Sequence, residues 1–430
     1  MTDRELQDSP ASARSGPAAA VVHHGGAWAA MREPIFRNFW IFSFLAFIGG
    51  SMQSVGAGWL MVDLGGSPLQ VSLIQGGMSL AVLLTALPSG VLADLYDRRM
   101  IMLVALLGMM LATGLIGLLA LQSALTPAAL LGLTVLFGIA SAGMTPAMQS
   151  TVPDLVSRPV LPSAIALNGM SSSAARSVGP GFAGLLIGVV GAGATLIANV
   201  LAFVGIWWVV ARWAGHAKRD RRGTVRAEVR TALYGGLHFA RHDRPFRALL
   251  LRTVACFFGV SAVLALLPSF VEHRFGHHGT GSARPLGALL SCYGVGSVLG
   301  SLIVAPLSER IERDRLMGLG AGFCGACMLL LMVAQHPVLL GLAMVGAGCS
   351  WSMALTCMNI SAQLMLPREL LARGLALSMM ALMVSMACGS AVWGAVATAS
   401  SVERAFGLAG AVAIAWPLLQ SVMTAMRSRA

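Results

Sequence analysis

The sequence predicts an all-α integral membrane protein with twelve transmembrane helices in two pseudo-symmetric bundles of six. Three observations lead there. Of 430 residues, 57% are hydrophobic and only 11% charged, against about 25% charged in an ordinary soluble domain. Apolar runs of bilayer length, about 20 residues each, recur at 39–63, 70–92, 100–122, 128–152, 163–188, 194–213, 248–272, 284–307, 315–335, 337–362, 371–397 and 405–425. A charged elbow between the second and third runs, Gly90-Val91-Leu92-Ala93-Asp94-Leu95-Tyr96-Asp97-Arg98-Arg99, returns in weaker form 215 positions later as Ala305-Pro306-Leu307-Ser308-Glu309-Arg310-Ile311-Glu312-Arg313. Acid falls on acid at 94/309 and 97/312, and base on base at 98/313. Such a stretch is too charged for lipid and too short for a domain, and one per half marks a duplicated chain.

The net charge of +12 has to be read by position. With both termini in the cytoplasm, all of the 29 Lys and Arg except Arg176, Arg252, Arg274, Arg284 and Arg404 fall on cytoplasmic segments. That is the positive-inside asymmetry, so the charge reports topology in a plasma (inner) membrane and not a nucleic-acid partner. Residues 1–31 are polar, Ala-rich and charge-mixed, with none of the three zones of a signal peptide, and are predicted to be a disordered cytoplasmic tail. Residues 32–214 form the first bundle, 215–247 a basic linker, and 248–430 the second bundle with a short tail.

Taken in order, the first run carries Gln53 and Ser54 in mid-span, where a neutral amide either bonds a neighbouring helix or meets cargo. Asp63 closes it before a Gly-Gly-Ser-Pro turn at 65–68. The second run places Gln75 about a third of the way across. The fourth ends with Gln149 and Pro153, and the tenth repeats this spacing with Gln363 and Pro367. Asn359 and Trp351 lie upstream on that tenth run. Gln75, Gln149, Asn359 and Gln363 join Gln53 as candidate cavity residues.

The fifth run holds Arg176 about thirteen residues from its inner end, roughly 20 Å deep at 1.5 Å per residue. An arginine facing lipid there costs between about 3 and 17 kcal/mol. It therefore faces protein or water, either as a structural donor to carbonyls or as a binding group for an anionic or carbonyl-rich substrate. Around it, Gly179, Pro180 and Gly184 form a helix-packing motif: small residues admit a neighbouring helix, and proline bends its own. All Asp, Glu and His residues fall in loops, tails or span ends, so no acid is predicted at the midplane to accept a proton.

Between the halves, residues 212–247 hold ten Lys and Arg. Val229, Leu233, Leu237 and Ala240 recur at helical spacing with arginines opposite, which predicts an amphipathic helix on the inner leaflet. Seven cysteines fall inside the predicted spans and imply no disulfide framework. His23-His24, the Cys324/Cys327 pair and the cluster Glu272, His273, His277, His278 lack the further ligands of a metal site, and none is predicted. No nucleophile, base and orienting group assemble in one stretch, and no phosphate-cradling loop appears, so the chain reads as neither an enzyme nor an ATP-driven pump, with no cofactor.

Three groups of residues carry a family resemblance. Gly90-x3-Asp94-x2-Asp97-Arg98-Arg99 resembles the loop between the second and third spans of the major facilitator superfamily. The likeness implies a gate made of Gly90, Asp94, Asp97, Arg98 and Arg99, with Glu309, Glu312 and Arg313 as their second-half counterparts, closing the cytoplasmic side; read alone, Asp97, Arg98 and Arg99 equally make a charged turn that fixes orientation. Ala166-x8-Ala175-x3-Gly179-Pro180-x2-Ala183-Gly184 resembles the fifth-span motif of facilitator antiporters with several glycines replaced by alanine, and Gly389 and Gly394 echo it in the second half, where Ser390 stands for the proline. Arg247-Ala248-Leu249-Leu250-Leu251-Arg252-Thr253, Ser261-Ala262-x2-Ala265-Leu266-Leu267-Pro268 and Gly294-x-Gly296-x3-Gly300 resemble enterobactin-exporter-like facilitators, also called transmembrane secretion effectors. The fourth span lacks the buried arginine of typical drug/proton antiporters, so their mechanism does not transfer directly.

What the resemblance implies is a secondary active transporter in the lipid bilayer, exporting a small amphipathic or anionic molecule, siderophore-like or drug-like, by alternating access with protons as the candidate coupling ion. A facilitator-fold importer of a small metabolite and a non-transporting scaffold or sensor are the alternatives.

Overall fold

The computed structural model describes residues 28–95, 97–213, 243–276, 283–366 and 371–427. The tail, the linker helix predicted over 227–241, His277 and His278 lie outside them. So do the side chains of Asp94 and Arg176, although both residues sit on described helices.

Among the described residues there are twelve long helices. The first half holds α1 (Pro34–Asp63), α2 (Pro68–Leu95), α3 (Arg98–Leu121), α4 (Pro127–Thr151), α5 (Leu161–Val190) and α6 (Ala192–Arg212). The second holds α7 (Arg244–Phe275), α8 (Arg284–Ser308), α9 (Arg313–Val333), α10 (Pro337–Met365), α11 (Leu371–Ala399) and α12 (Val402–Arg427). Ten are long and apolar enough to cross a membrane, and the bent α5 makes an eleventh.

Local chemistry sets their ends. Proline occupies the first helical turn of α1, α4, α5, α7, α8 and α10, where its missing N–H costs nothing. Asp97, Thr126 and Asp243 cap α3, α4 and α7 through their side-chain oxygens. α1 and α7 start five and four residues earlier than the hydrophobic runs predict, because their proline-led first turns carry arginines; α4, α5, α8 and α10 start within two residues of the prediction. Gly191, at φ +84°, is the single residue between α5 and α6, a backbone state that an L side chain rarely adopts.

The helix starts repeat with near-constant spacing: 34 and 244, 98 and 313, 127 and 337, 161 and 371, 192 and 402. Packing repeats with them. In the first half α1 packs on α5 and α6, α3 on α4 and α6, and α2 on α4; in the second, α7 packs on α11 and α12, α9 on α10 and α12, and α8 on α10. The halves then meet along two equivalent seams, α5 on α8 and α2 on α11. The duplication inferred from the elbows is thus a structural repeat.

Both seams are made by removing side chains. A Cβ on Gly184 would stand 2.6 Å from Gly287 Cα, one on Gly294 2.8 Å from the Ser177 carbonyl oxygen, and one on Gly76 2.7 Å from Ser390 Oγ. Lipid tails are as apolar as leucine, so helices in a bilayer associate through close van der Waals contact and interhelical hydrogen bonds. The bonds are present: Ser297 donates to Ser177 (3.2 Å), and the Leu69 N–H to Thr398 Oγ1 (2.9 Å). Within each half the symmetry is as close. Gly179 faces Ser51 of α1, and 210 residues on, Gly389 faces Ser261 of α7.

The stretch Arg158–Ser172, a short turn of helix leading into the first part of α5, meets the second part, Ser177–Val190, at 44°. Pro180 lacks the N–H that would bond the carbonyl of residue 176, which accounts for a bend at that level.

The buried core is distributed unevenly. At the end carrying the 63–68 turn, one apolar cluster runs through both halves, joining Trp59, Leu60 and Val71 to Leu266, Leu267 and Phe270. Toward the elbow end the halves have separate cores: the first keeps a cluster of its own around Phe36, Met102 and Phe203, while the large cluster continues through the second half alone to Val304, Leu316 and Met317, beside a small one around Phe246 and Leu366.

These seams make a direct prediction. Gly287→Ala pushes a methyl into the Gly184 backbone, which cannot swing aside as a side chain can, and should cost about 1–3 kcal/mol by overpacking. Gly132→Ala, with nothing within 4 Å of its Cβ, should leave the thermal midpoint of the purified protein unchanged or slightly raised. Equal midpoints for the two variants would refute the close-contact account.

Candidate functional site: a cavity on the seam between the halves

A cavity of about 320 Å³ lies where the halves face each other, at the lower end of the range for small-molecule sites. From the first half, α1 contributes Ser51, Ser54 and Gly58, α2 contributes Gln75 and Met78, and α5 contributes Pro180. From the second, α7 contributes Leu264 and Pro268, α8 contributes Leu290 and Tyr293, and α10 contributes Trp351. The steps of three or four residues along α1, α2 and α8 are those of one helical face.

Ser54 Oγ donates to Gln75 Oε1 at 2.8 Å, tying α1 to α2 at the cavity wall. Trp351 stands edge-on to Phe257, with ring centroids 5.1 Å apart at 82°. Tyr293 is 2% exposed: its ring belongs to the wall, and its hydroxyl is buried without a hydrogen-bond partner, an arrangement that costs about 1–3 kcal/mol. Among the described residues the lining contains no Asp, Glu, Lys, Arg or His.

Of the candidates read from the sequence, Gln75 and Pro180 are in this wall. Gln53 is not. It is fully buried on another face of α1, where Oε1 accepts from Thr113 of α3 at 2.9 Å and Nε2 has no partner. One residue along a helix turns a side chain by about 100°, which separates Gln53 from Ser54. Asn359 donates to the Leu355 carbonyl of its own helix at 3.0 Å. Gln149 and Gln363 are exposed near the elbow ends of α4 and α10; none of these three lines the cavity. Gly184 belongs to the α5–α8 seam, and Gly179 packs on α1. Tyr293, which sequence reasoning passed over, occupies the position 215 residues after Met78.

The elbow is held inside the first half. Asp97 caps α3 by accepting from the Arg99 N–H (2.9 Å), Arg98 pairs with Asp154 beyond α4 (3.2 Å), and Arg99 donates to the Ala211 carbonyl at the end of α6. The second elbow differs. Glu309 is exposed, Glu312 pairs with Arg315 at 3.4 Å, and the buried Nε of Arg313 has no partner. Instead Arg252 of α7 pairs with Asp314 of α9, a role the sequence alone did not assign. Gly90 and Asp94 lie on the last turns of α2, with their side chains outside the described set. At the opposite end His273 meets Glu403 at 3.7 Å, and among the described residues no three His, Cys, Asp or Glu gather as a metal site would require.

Comparison with known proteins adds the family context. A family model described as transmembrane secretion effector matches residues 25–429. The staphyloferrin A transporter of Staphylococcus aureus is 24% identical over 168 residues, 39% of this chain and 42% of the relative, so the match spans less than half of that protein. In fold, the crystal structure of a mutant of the nucleoside transporter NupG is similar at a TM-score of 0.73 and 12% identity, covering 90% of this chain and 99% of that one. A bacterial homologue of the human lysosomal transporter Spinster, in an inward-facing and unoccupied conformation, is similar at 0.68 and 15%, covering 91% and 95%.

The placement of Gln53 is testable. Gln53→Leu removes one orphaned donor and leaves Thr113 able to turn to its own helix, so stability should stay within about 1 kcal/mol. Ligand binding and flux should match wild type; lost flux at unchanged stability would put Gln53 on the transport path.

Proposed function

The chain belongs to the transmembrane secretion effector family, and from that premise we propose that it exports a small amphipathic molecule across the plasma (inner) membrane by alternating access. Its fold is that of the major facilitator transporters. The observation that carries the proposal is the cavity itself, walled by helices of both halves and lying between an end where one core joins the halves and an end where each half has its own.

The positive-inside asymmetry assigns the elbow end and both termini to the cytoplasm. On that assignment the proposed state is one shut toward the outside, and export requires the elbow ends to close and the 63–68 end to part. The staphyloferrin A transporter supports siderophore-like cargo; the apolar walls support drug-like cargo equally. Arg176, four residues and so about one turn before the cavity-lining Pro180, is the group that would favour an anionic cargo. Protons are the proposed coupling ion. No acid lines the described cavity, so Asp63 or Asp94 is the proposed acceptor, and Asp94 with Gly90 the proposed gate.

Flux of a charge-sorted compound panel in everted vesicles, with an imposed proton gradient, tests this. Uptake into everted vesicles that follows the gradient is the expected result, and exclusive flux in the other sense would make the chain an importer. Asp94→Asn should abolish gradient-driven flux at normal membrane abundance, and unchanged flux would remove it from the gate. Arg176→Ala should slow anionic compounds about tenfold or more and neutral ones little, since a charged hydrogen bond is worth about 1.5–3 kcal/mol; equal slowing of every class would make Arg176 structural.

A further inference from the structure

The repeat that builds the cavity also lets its two walls be compared position by position. On α1 and α7 the corresponding residues are 210 apart, and on α2 and α8 they are 215 apart, as the packing of Gly179 on Ser51 and Gly389 on Ser261, and of Gly184 on Gly287 and Gly394 on Ser72, fixes independently. Ser54 therefore corresponds to Leu264, Gln75 to Leu290, and Met78 to Tyr293, and all six line the cavity. At the first two pairs a hydrogen-bonding group on one wall corresponds to leucine on the other; at the third, the Tyr293 hydroxyl is buried and leaves the cavity only the ring.

We infer that this divergence orients the cargo: a hydrogen-bond acceptor on the ligand, such as a carbonyl or ether oxygen, docks on the α1–α2 wall, and the apolar body lies on the α7–α8 wall. Ser54 is the positioning residue. Its hydroxyl donates to Gln75 Oε1, which aims the amide so that Nε2, with no other hydrogen bond, offers its N–H groups to the cavity. Leu264 and Leu290 offer nothing polar and give full dispersion contact. The preferred class is thus an acceptor-bearing amphipath. A cation without an acceptor finds no hydrogen-bond partner on the first wall and no countercharge among the described lining residues, which leaves it only ring contact with Trp351 and Tyr293. This inference rests on the proposed carriage of amphipathic cargo.

The test uses the full chain in lipid nanodiscs, with empty nanodiscs as blank, and three naphthyl probes that share one ring body: an N,N-dimethylcarboxamide, which only accepts hydrogen bonds, a trimethylammonium, and a plain methyl. Equilibrium dialysis gives each Kd. Wild type should bind the carboxamide about tenfold more tightly than the methyl probe, the worth of one good hydrogen bond. Gln75→Leu should bring the two to parity by weakening the carboxamide about tenfold relative to the methyl probe, and Ser54→Ala should fall between. The transposed pair Gln75→Leu with Leu290→Gln should regain the carboxamide preference from the opposite wall, which a misfolded variant could not do. Equal weakening of all three probes by Gln75→Leu, or an intact preference in it, would overturn the orientation and leave the carrier reading standing. Failure of the wild-type chain to bind any of the three would instead overturn the amphipathic-cargo reading, and this inference with it.

Discussion

Backbone lying on backbone, at the α5–α8 and α2–α11 seams, is the constraint from which the rest follows. Two bundles in lipid have no hydrophobic force pressing them together. They hold by contacts that only glycine and serine allow, Gly184 on Gly287 and Ser72 beneath Gly394. Such contact fixes the distance between the halves along two lines, and the space enclosed between those lines is the cavity. It also suits a rocking motion, because small residues present few projections to interlock.

Against this, the charged elbow has a more local structural part than its density of charge suggests. Asp97 caps a helix, Arg98 makes an ion pair of partly exposed side chains with Asp154, and Arg99 meets a carbonyl, and these three contacts lie within the first half. An ion pair of that exposure contributes at most about 1 kcal/mol. These bonds join α3 to the ends of α4 and α6 and so tie the elbow end of the first half together. The second half reaches a comparable lock by another route, Arg252 on Asp314.

Much of this was legible before any coordinates. Hydrophobic length gave twelve helices, the paired elbows gave the duplication, and small residues around Pro180 marked a packing face. The starts of α1 and α7 were placed too late because their first turns, led by proline, lie in charged flanks. What a linear reading could not provide was azimuth. Gln53 and Ser54 are neighbours in the chain, yet one is committed to Thr113 and the other to the cavity, and in a helix apolar on every side no moment says which face looks inward. Tyr293 escaped for the same reason: an aromatic in a lipid-length run carries no mark of its side until the partner helix is placed. The bend in α5 was signalled by its proline, but its size depends on the helices that take up the space.

The cavity positions have a property that the seam positions lack. Side chains at 54, 75 and 264 are half-buried beside empty volume, so exchanging one for another leaves the helix packing in place, whereas a single methyl at 287 meets an immovable peptide. A doubled gene begins with two identical walls. From that starting point, drift at these sites can shift the ratio of wet to greasy surface one residue at a time while the scaffold stays intact, and the range of compounds carried can change by small steps without passing through a protein that fails to fold.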